Sequence, residues 1–294
     1  MLLSTTSYLF FVTFGYDRGP EEAARAGFDA LDMGYNEERY QQEFAPARYE
    51  ALCKVLRAQV ESCGLRFNQT HAPYWPTPFS GQGSPLNAAQ MELMHRAIRC
   101  AGLLGADQAV VHPICCTDKG LQRQVNIDFY GALLPVARES GVRLAIENVW
   151  GKDSAGQIAP SVCSFGHELA AYVDAMADEN VIACLDTGHA GLMGQPPEDA
   201  IRQLGPRLHA LHVHDNDLTR DAHLMPYQGK LNWPRIMAAL AEVGYDGDLT
   251  FEVANPSVDV YLAKPELMRP AMALLAATGR QLMGLFERAK AGKG

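Results

Sequence analysis

The chain has 294 residues, 48% of them hydrophobic and 20% charged, and 25 Lys and Arg against 34 Asp and Glu leave a net charge of −9. These proportions exclude a disordered or collagen-like chain. The acidic balance argues against nucleic acid and anionic membranes as partners. No uninterrupted apolar run reaches the ~18 residues of a membrane span, and the early run Tyr8–Phe14 lacks the basic leader and cleavage site of a secretory signal. The seven cysteines are odd in number and include no CxxC pair. They read as reduced, structural thiols of a cytoplasmic protein. Adjacent Cys115 and Cys116 form the one pair with any claim to a metal, and neighbouring cysteines rarely converge on one ion.

In chain order, eight β-rich runs stand out: Leu9–Phe14, Ala30–Met33, Arg66–His71, Gln108–His112, Arg143–Asn148, Ile182–Asp186, Ala210–His214 and Leu249–Val253. Helical patterns separate them at about Pro20–Ala26, Pro46–Ser62, Asn87–Leu104, Leu121–Ser140, Ser164–Ala177, Glu198–Leu204 and Trp233–Val243. A further C-terminal helix covers about Lys264–Lys290. Gly27, Gly64, Gly105, Gly141 and Gly247 supply stop signals before strands. Strands alternating with helices imply βαβ units and a parallel sheet. Eight such units close most simply into a (β/α)8 TIM barrel, here one domain over 1–294, since barrels of ~250 residues form single domains. An open doubly wound sheet competes, but Gly15-Tyr-Asp-Arg-Gly19 does not match its glycine-rich phosphate turn. The Pro- and Gly-rich stretch His71–Leu86 reads either as a lid presenting Tyr74, Trp75 and Phe79 or as a packed surface loop.

Polar side chains gather where the apolar runs end. The third run ends in His71, the fourth in His112, the fifth in Glu147-Asn148 and the sixth in Asp186, followed by His189. The seventh carries His212 and His214 with Asp221 and His223 beyond, and the eighth ends near Glu252. In a barrel, strand carboxyl ends share one rim, where active sites form. One such group is ordinarily structural, but several carboxylates together repel one another unless a cation lies between them. Mixed carboxylate and imidazole donors suit Mn²⁺, Zn²⁺ or Co²⁺, with Mg²⁺ possible. His212 and His214 are two apart and face the same way, so periodicity does not choose between them. His209 has the opposite parity and belongs with the helix-facing side.

The segments IENVWG (146–151), CLDTGHAGL (184–192), LHVHDND (211–217), HLMPYQGKLNW (223–233) and LTFEV (249–253) resemble the xylose-isomerase-like barrel superfamily. The likeness is to its sugar phosphate isomerases/epimerases and the related endonuclease-four type apurinic endonucleases, and it runs from about Leu65 to Asn255. By resemblance to the epimerase branch, Glu147, Asp186, His212 and Glu252 would be the metal ligands, with Glu147 and Glu252 also the catalytic acid/base pair. His189 resembles a residue contacting a substrate oxygen, and Arg220 a substrate-contacting arginine. His71, His112, His223 and Trp150 complete the expected sugar-binding set, Trp150 by stacking or by packing. In the endonuclease branch His71, His112, Glu147, Asp186, His189, His212, Asp221, His223 and Glu252 match nine ligands of three zinc ions. Against that branch stand its missing Gly-Ser-His-like start and the acidic charge. A Pro-Gly-x-Gly turn is usual in the isomerase branch, and Tyr227 replaces its first glycine here.

The resemblance implies a divalent-metal-dependent isomerase or epimerase that moves a proton between Glu147 and Glu252 while a metal stabilises the enediolate. The alternatives are a zinc-dependent apurinic endonuclease, a lyase or dehydratase on the same barrel, and a non-catalytic binding protein. The expected partner is a small sugar, with no nucleic acid or membrane. A homo-oligomer is possible, and the apolar stripe of the last helix either closes the barrel or meets a partner.

Overall fold

A computed structural model describes residues 1–34, 42–74, 88–116, 118–254 and 261–292. Eight parallel strands make one sheet: β1 (Leu3–Thr6), β2 (Ala30–Gly34), β3 (Arg66–His71), β4 (Gln108–Val111), β5 (Arg143–Glu147), β8 (Val181–Asp186), β9 (Leu208–His212) and β10 (Leu249–Phe251). Strand β10 pairs with β1, and the far edge β9 reaches β10 just beyond its own end. There Val213 N–H donates to Thr250 O at 2.8 Å and Glu252 N–H donates to Val213 O at 3.1 Å. These bonds close the sheet into a TIM barrel. The connecting helices are α1 (Tyr8–Ala26), α2 (Tyr49–Ser62), α3 (Ala88–Leu104), α4 (Gln122–Ser140), α5 (Gly166–Met176), α7 (Pro197–Leu204) and α8 (Trp233–Val243), and the further C-terminal helix α9 (Pro265–Ala291) packs against α8 and α1. Two elements lie beyond the expected alternation: the hairpin β6 (Trp150–Lys152) with β7 (Ile158–Pro160), and the short helix α6 (Thr187–Leu192) after β8. Among the described residues no helix is long and apolar enough to cross a membrane.

The first expected strand, Leu9–Phe14, is corrected. Strand β1 is Leu3–Thr6, and the apolar run begins α1. A short apolar run does not distinguish a buried strand from a buried helix. Here Leu9, Phe10 and Phe11 pack into the shell between sheet and helices, Phe10 meeting Phe28 edge-on at 5.9 Å. The helix breaks at Gly15, whose φ of 77° and ψ of 170° are not helical. Strand β1 was hidden because Ser4 inside the barrel needs polar company. Its hydroxyl donates to Asn68 Oδ1 at 2.7 Å, and Asn68 donates to Thr250 Oγ1 at 2.9 Å. Gly244 rather than Gly247 takes the left-handed cap position after α8.

The barrel interior is layered. On one side Val110, Ala145, Ile182, Cys184 and Ala210 form a small apolar cluster separate from the main core. Two residues further along each strand, on the same face, come His112, Glu147, Asp186 and His212. The alternation that fills the barrel with small apolar groups thus delivers the polar set to its carboxyl-end mouth. The seven cysteines are free, and burial pushes the Cys163 and Cys184 thiols well up, as suits inert packing groups.

Phe251 of β10 faces outward beneath α9. A Cβ added at Gly279 would lie 2.8 Å from its ring and 2.3 Å from Leu3 Cδ1, so the helix rests directly on β1 and β10. Phe251→Ala should therefore cost about 3–5 kcal/mol in a urea unfolding titration. A loss well below 1 kcal/mol would contradict this placement of α9.

Candidate metal centre at the barrel mouth

Asn148 organises the end of β5 and β8. Its side chain accepts from Asp186 N–H at 2.7 Å and donates to Asp186 O at 3.0 Å. Asp186 then caps α6, its Oδ1 accepting from His189 N–H at 2.6 Å. His189 is brought back over the mouth, with Nδ1 2.9 Å from Asn148 O. Gly188 makes room for this turn: a Cβ there would lie 1.9 Å from the His214 ring.

The loop after β9 is held by Asp215, a fully buried carboxylate. Its Oδ1 accepts from Asn216 N–H at 2.8 Å and Leu231 N–H at 3.1 Å. Its Oδ2 accepts from Tyr227 N–H at 2.9 Å and Trp233 Nε1–H at 3.0 Å. Four donors on one buried carboxylate offset its desolvation and draw both ends of the loop together. Tyr227 takes the left-handed conformation, with φ of 73°. That loop returns Asp221 and His223 to the mouth.

Among the described residues four groupings of donor atoms result, the fourth being His71, His212 and Glu252. Glu147, Asp186, His212 and Glu252 form one, with His71 bordering it through His212 and Glu252; His71, His112 and Glu147 form the second; His189, His214, Asp221 and His223 form the third. Within each, the ligand atoms lie within 4.8 Å of one another. His212 Nδ1 is 2.9 Å from Glu147 Oε1 and 3.5 Å from Glu252 Oε2. Glu147 Oε2 lies 2.9 Å from His112 Nε2 and 3.4 Å from His71 Nε2, and those two nitrogens are 3.2 Å apart. Despite these approaches Glu147 Oε2 has no hydrogen bond of proper geometry. Such a buried carboxylate oxygen with ring nitrogens beside it, like the adjoining set of Glu147, Asp186, His212 and Glu252, could hold a divalent cation. In the third grouping Asp221 Oδ2 is 3.4 Å from His189 Nε2 and 3.2 Å from His223 Nε2, and His214 Nε2 is 3.0 Å from Asp186 Oδ2.

The charges are strongly coupled. Burial pushes the Glu147 carboxyl up, but the His212 and His112 rings outweigh it and hold the group well below the usual carboxylate range. Burial opposes the charged form of His212, yet Glu147 and Glu252 hold that ring well above its ordinary value. His189 is likewise raised against burial, by Asp186 and Asp221. His223, also opposed by burial, is lifted to about 10 by its hydrogen bond to Asp221 and the charge of Glu252. His112, by contrast, is pushed down by burial. Without a cation, imidazolium protons balance the carboxylates.

Of the expected site residues, Glu147, Glu252, Asp186, His212, His71, His112, His189 and His223 all meet at the mouth. Trp150 reaches it differently, its indole N–H donating to Asp221 Oδ2 at 3.1 Å. Arg220 stands apart, 71% exposed and paired with Asp217 at 3.3 Å. His209 points away to Asp246, as its parity implies. Tyr74 is exposed with its ring 6.3 Å from His112, whereas Trp75 and Phe79 lie outside the described residues. Sequence reasoning left one contributor open and missed another. His214 joins the third grouping, a role its shared parity with His212 allowed. Asp32, in the middle of β2, sits 3.4 Å from His212 Nε2; its only sequence signal was a carboxylate inside a short apolar run.

The fold and mouth define a TIM barrel with clustered carboxylate and imidazole donors at the strand carboxyl ends. The chain belongs to the Xylose isomerase-like TIM barrel family, which residues 20–278 match. It is 24% identical over 257 residues to the uncharacterized protein MJ1311 of Methanocaldococcus jannaschii, covering 85% of this chain and 83% of that one. Over 165 residues it is 24% identical to an inosose isomerase of Halalkalibacterium halodurans, covering 53% of this chain and 56% of the relative. A solved D-tagatose 3-epimerase-like protein superposes with a TM-score of 0.74 at 19% identity, covering 100% of this chain and 99% of that one. At that identity the likeness is one of fold.

These charges predict a pH dependence for the stability of the metal-free protein. Folded His189, His212 and His223 hold their protons more tightly than the unfolded chain does. The stabilisation they give is complete below about pH 6.5 and is lost as pH rises through the folded values. For His223 that loss extends to about 10. Chelator-treated protein should show a Tm that falls from neutral pH toward that limit, and the fall should be shallower with Mn²⁺ or Zn²⁺ present. A Tm that rises over this window would contradict the assigned charges.

Proposed function

We propose that the protein is a divalent-metal-dependent sugar isomerase or epimerase. The observation that carries this reading is the pair Glu147 and Glu252, three strands apart around the ring, whose oxygens belong with Asp186 and His212 to one donor cluster. The similarity to a D-tagatose 3-epimerase-like protein and to an inosose isomerase supports the same class. Glu147, Asp186, His212 and Glu252 would hold the cation. When bound, it supplies Lewis-acid stabilisation of negative charge on substrate oxygens.

The chain's own residues perform the proton chemistry. A sugar carbon next to a carbonyl is a weak acid, so its proton needs a base at close range and an acid to return it. Glu147 enters from β5, and Glu252 follows β10, so the two flank the same point from different parts of the wall. Paired with imidazoles, Glu147 stays ionised and able to accept a proton. Glu252 is half-buried and open to the mouth. His71, His112, His189 and His223 offer ring N–H groups to substrate hydroxyls. Trp150 fixes Asp221, which orients His189 and His223. Arg220 would have to leave Asp217 to reach a substrate, and it remains a rim contact in this reading. A small neutral or anionic sugar is the substrate class, and the protein would act in the cytoplasm.

A second reading rests on the third grouping, His189, His214, Asp221 and His223. With it, all nine residues that resemble the zinc ligands of the endonuclease-four type meet at one mouth. Elemental analysis separates the two: several zinc ions with nicking of abasic duplex favour the nuclease, and one manganese-like ion without DNA binding favours the sugar enzyme.

Glu147→Gln should abolish exchange of a ketose α-proton with deuterium from heavy water in the metal-supplemented protein. The wild type, offered a panel of ketoses and ketose phosphates, should show that exchange for at least one. A Glu147→Gln variant with wild-type exchange would remove this glutamate as the base.

A further inference from the structure

Behind the donor cluster lies a carboxylate that the proton chemistry does not use. Asp32 of β2 is 2% exposed, and Thr6 and Gln69 are its register partners on β1 and β3. Its Oδ2 is 3.4 Å from His212 Nε2, the nitrogen turned away from Glu147 and Glu252. Gln69 Nε2 donates to the same Oδ2 at 3.3 Å and also lies 3.4 Å from Leu211 O, the residue before His212. Gln69 therefore ties the carboxylate to the strand that carries the imidazole. His212 Nε2 makes no hydrogen bond of proper geometry, and Asp32 Oδ1 has no hydrogen-bond partner.

A neutral imidazole carries one ring proton. For Nδ1 to offer its lone pair to a cation, that proton must reside on Nε2. His212 is fully buried, so an Nε2–H without an acceptor would be left unpaired away from water, favouring the tautomer that cannot bind through Nδ1. Asp32 is, among the described residues, the acidic group within 4 Å of that nitrogen.

We propose that Asp32 is a positioning residue that accepts the Nε2 proton of His212 and so commits Nδ1 to the cation. A carboxylate there also makes the ring a stronger donor, as acceptors behind ligand histidines generally do. The short step between the two groups is set by the closed sheet, because β2 lies across the interior from β9 and both side chains point inward. This inference rests on the metal reading above, since it assigns a tautomer to one of the proposed ligands.

The test is calorimetric titration of chelator-treated protein with Mn²⁺ and with Zn²⁺, for the wild type, Asp32→Asn and Asp32→Ala. It is joined by ¹⁵N–¹H spectra of the histidine rings in the zinc-loaded wild type. Asp32→Ala should weaken binding by roughly 10–100-fold, and Asp32→Asn, which keeps an acceptor, should weaken it less. The wild-type spectrum should show His212 protonated at Nε2, with Nδ1 carrying the metal. Asp32→Ala affinity equal to wild type, in protein folded by circular dichroism, overturns the role of Asp32. Should that variant not fold, a wild-type His212 protonated at Nδ1 overturns it equally. Wild-type protein that binds neither ion overturns the metal reading itself, a distinct result.

Discussion

Everything at the barrel mouth turns on one electrostatic constraint: Glu147 and Asp186 are fully buried carboxylates, and Glu252 closes over them. Two buried anions side by side carry a desolvation penalty of several kcal/mol each and repel one another as well. They persist only where positive charge is built in among them. In the metal-free state imidazolium rings take that role, which is why His212, His189 and His223 are all raised while Glu147, Asp186 and Asp221 are all lowered. A divalent cation does the same with one compact charge and frees the rings from carrying protons.

The scaffold makes this arrangement rigid. Four of the mouth residues follow small apolar interior residues by two positions, so sheet register alone sets their heights. Asn148 and Asp186 lock α6 onto β8, and Asp215 gathers the long loop after β9 around a single carboxylate. The hairpin after β5 contributes Trp150, which fastens Asp221. Buried hydrogen bonds of this kind hold functional side chains on strand ends more firmly than free loops would.

Most of the barrel was legible because seven of the eight strands fall on β-rich runs, six of which give way to a polar residue at their end. The three strands from Arg66, Gln108 and Arg143 begin where the sequence pattern places them. Strand β1 was not legible. Its interior Ser4 is satisfied by Asn68, so the strand carries no apolar signature, whereas the neighbouring Tyr8–Phe14 run has one for packing a helix. Short α6 was hidden for another reason: its start is an Asp186 cap that reads equally well as a strand end. At the site, the resemblance pointed to His212 and left His214 aside, although both face inward. Asp32 was missed because one carboxylate on a short strand says nothing until β2 and β9 are seen across the same interior.

The central claim is that one cation sits among Glu147, Asp186, His212 and Glu252. Anomalous-difference diffraction from crystals soaked in manganese, with data above and below the metal edge, tests it most directly. The account predicts a peak bounded by those four side chains, with His212 Nδ1 facing it. Crystals that take up manganese elsewhere, or show no peak at the mouth, would contradict it.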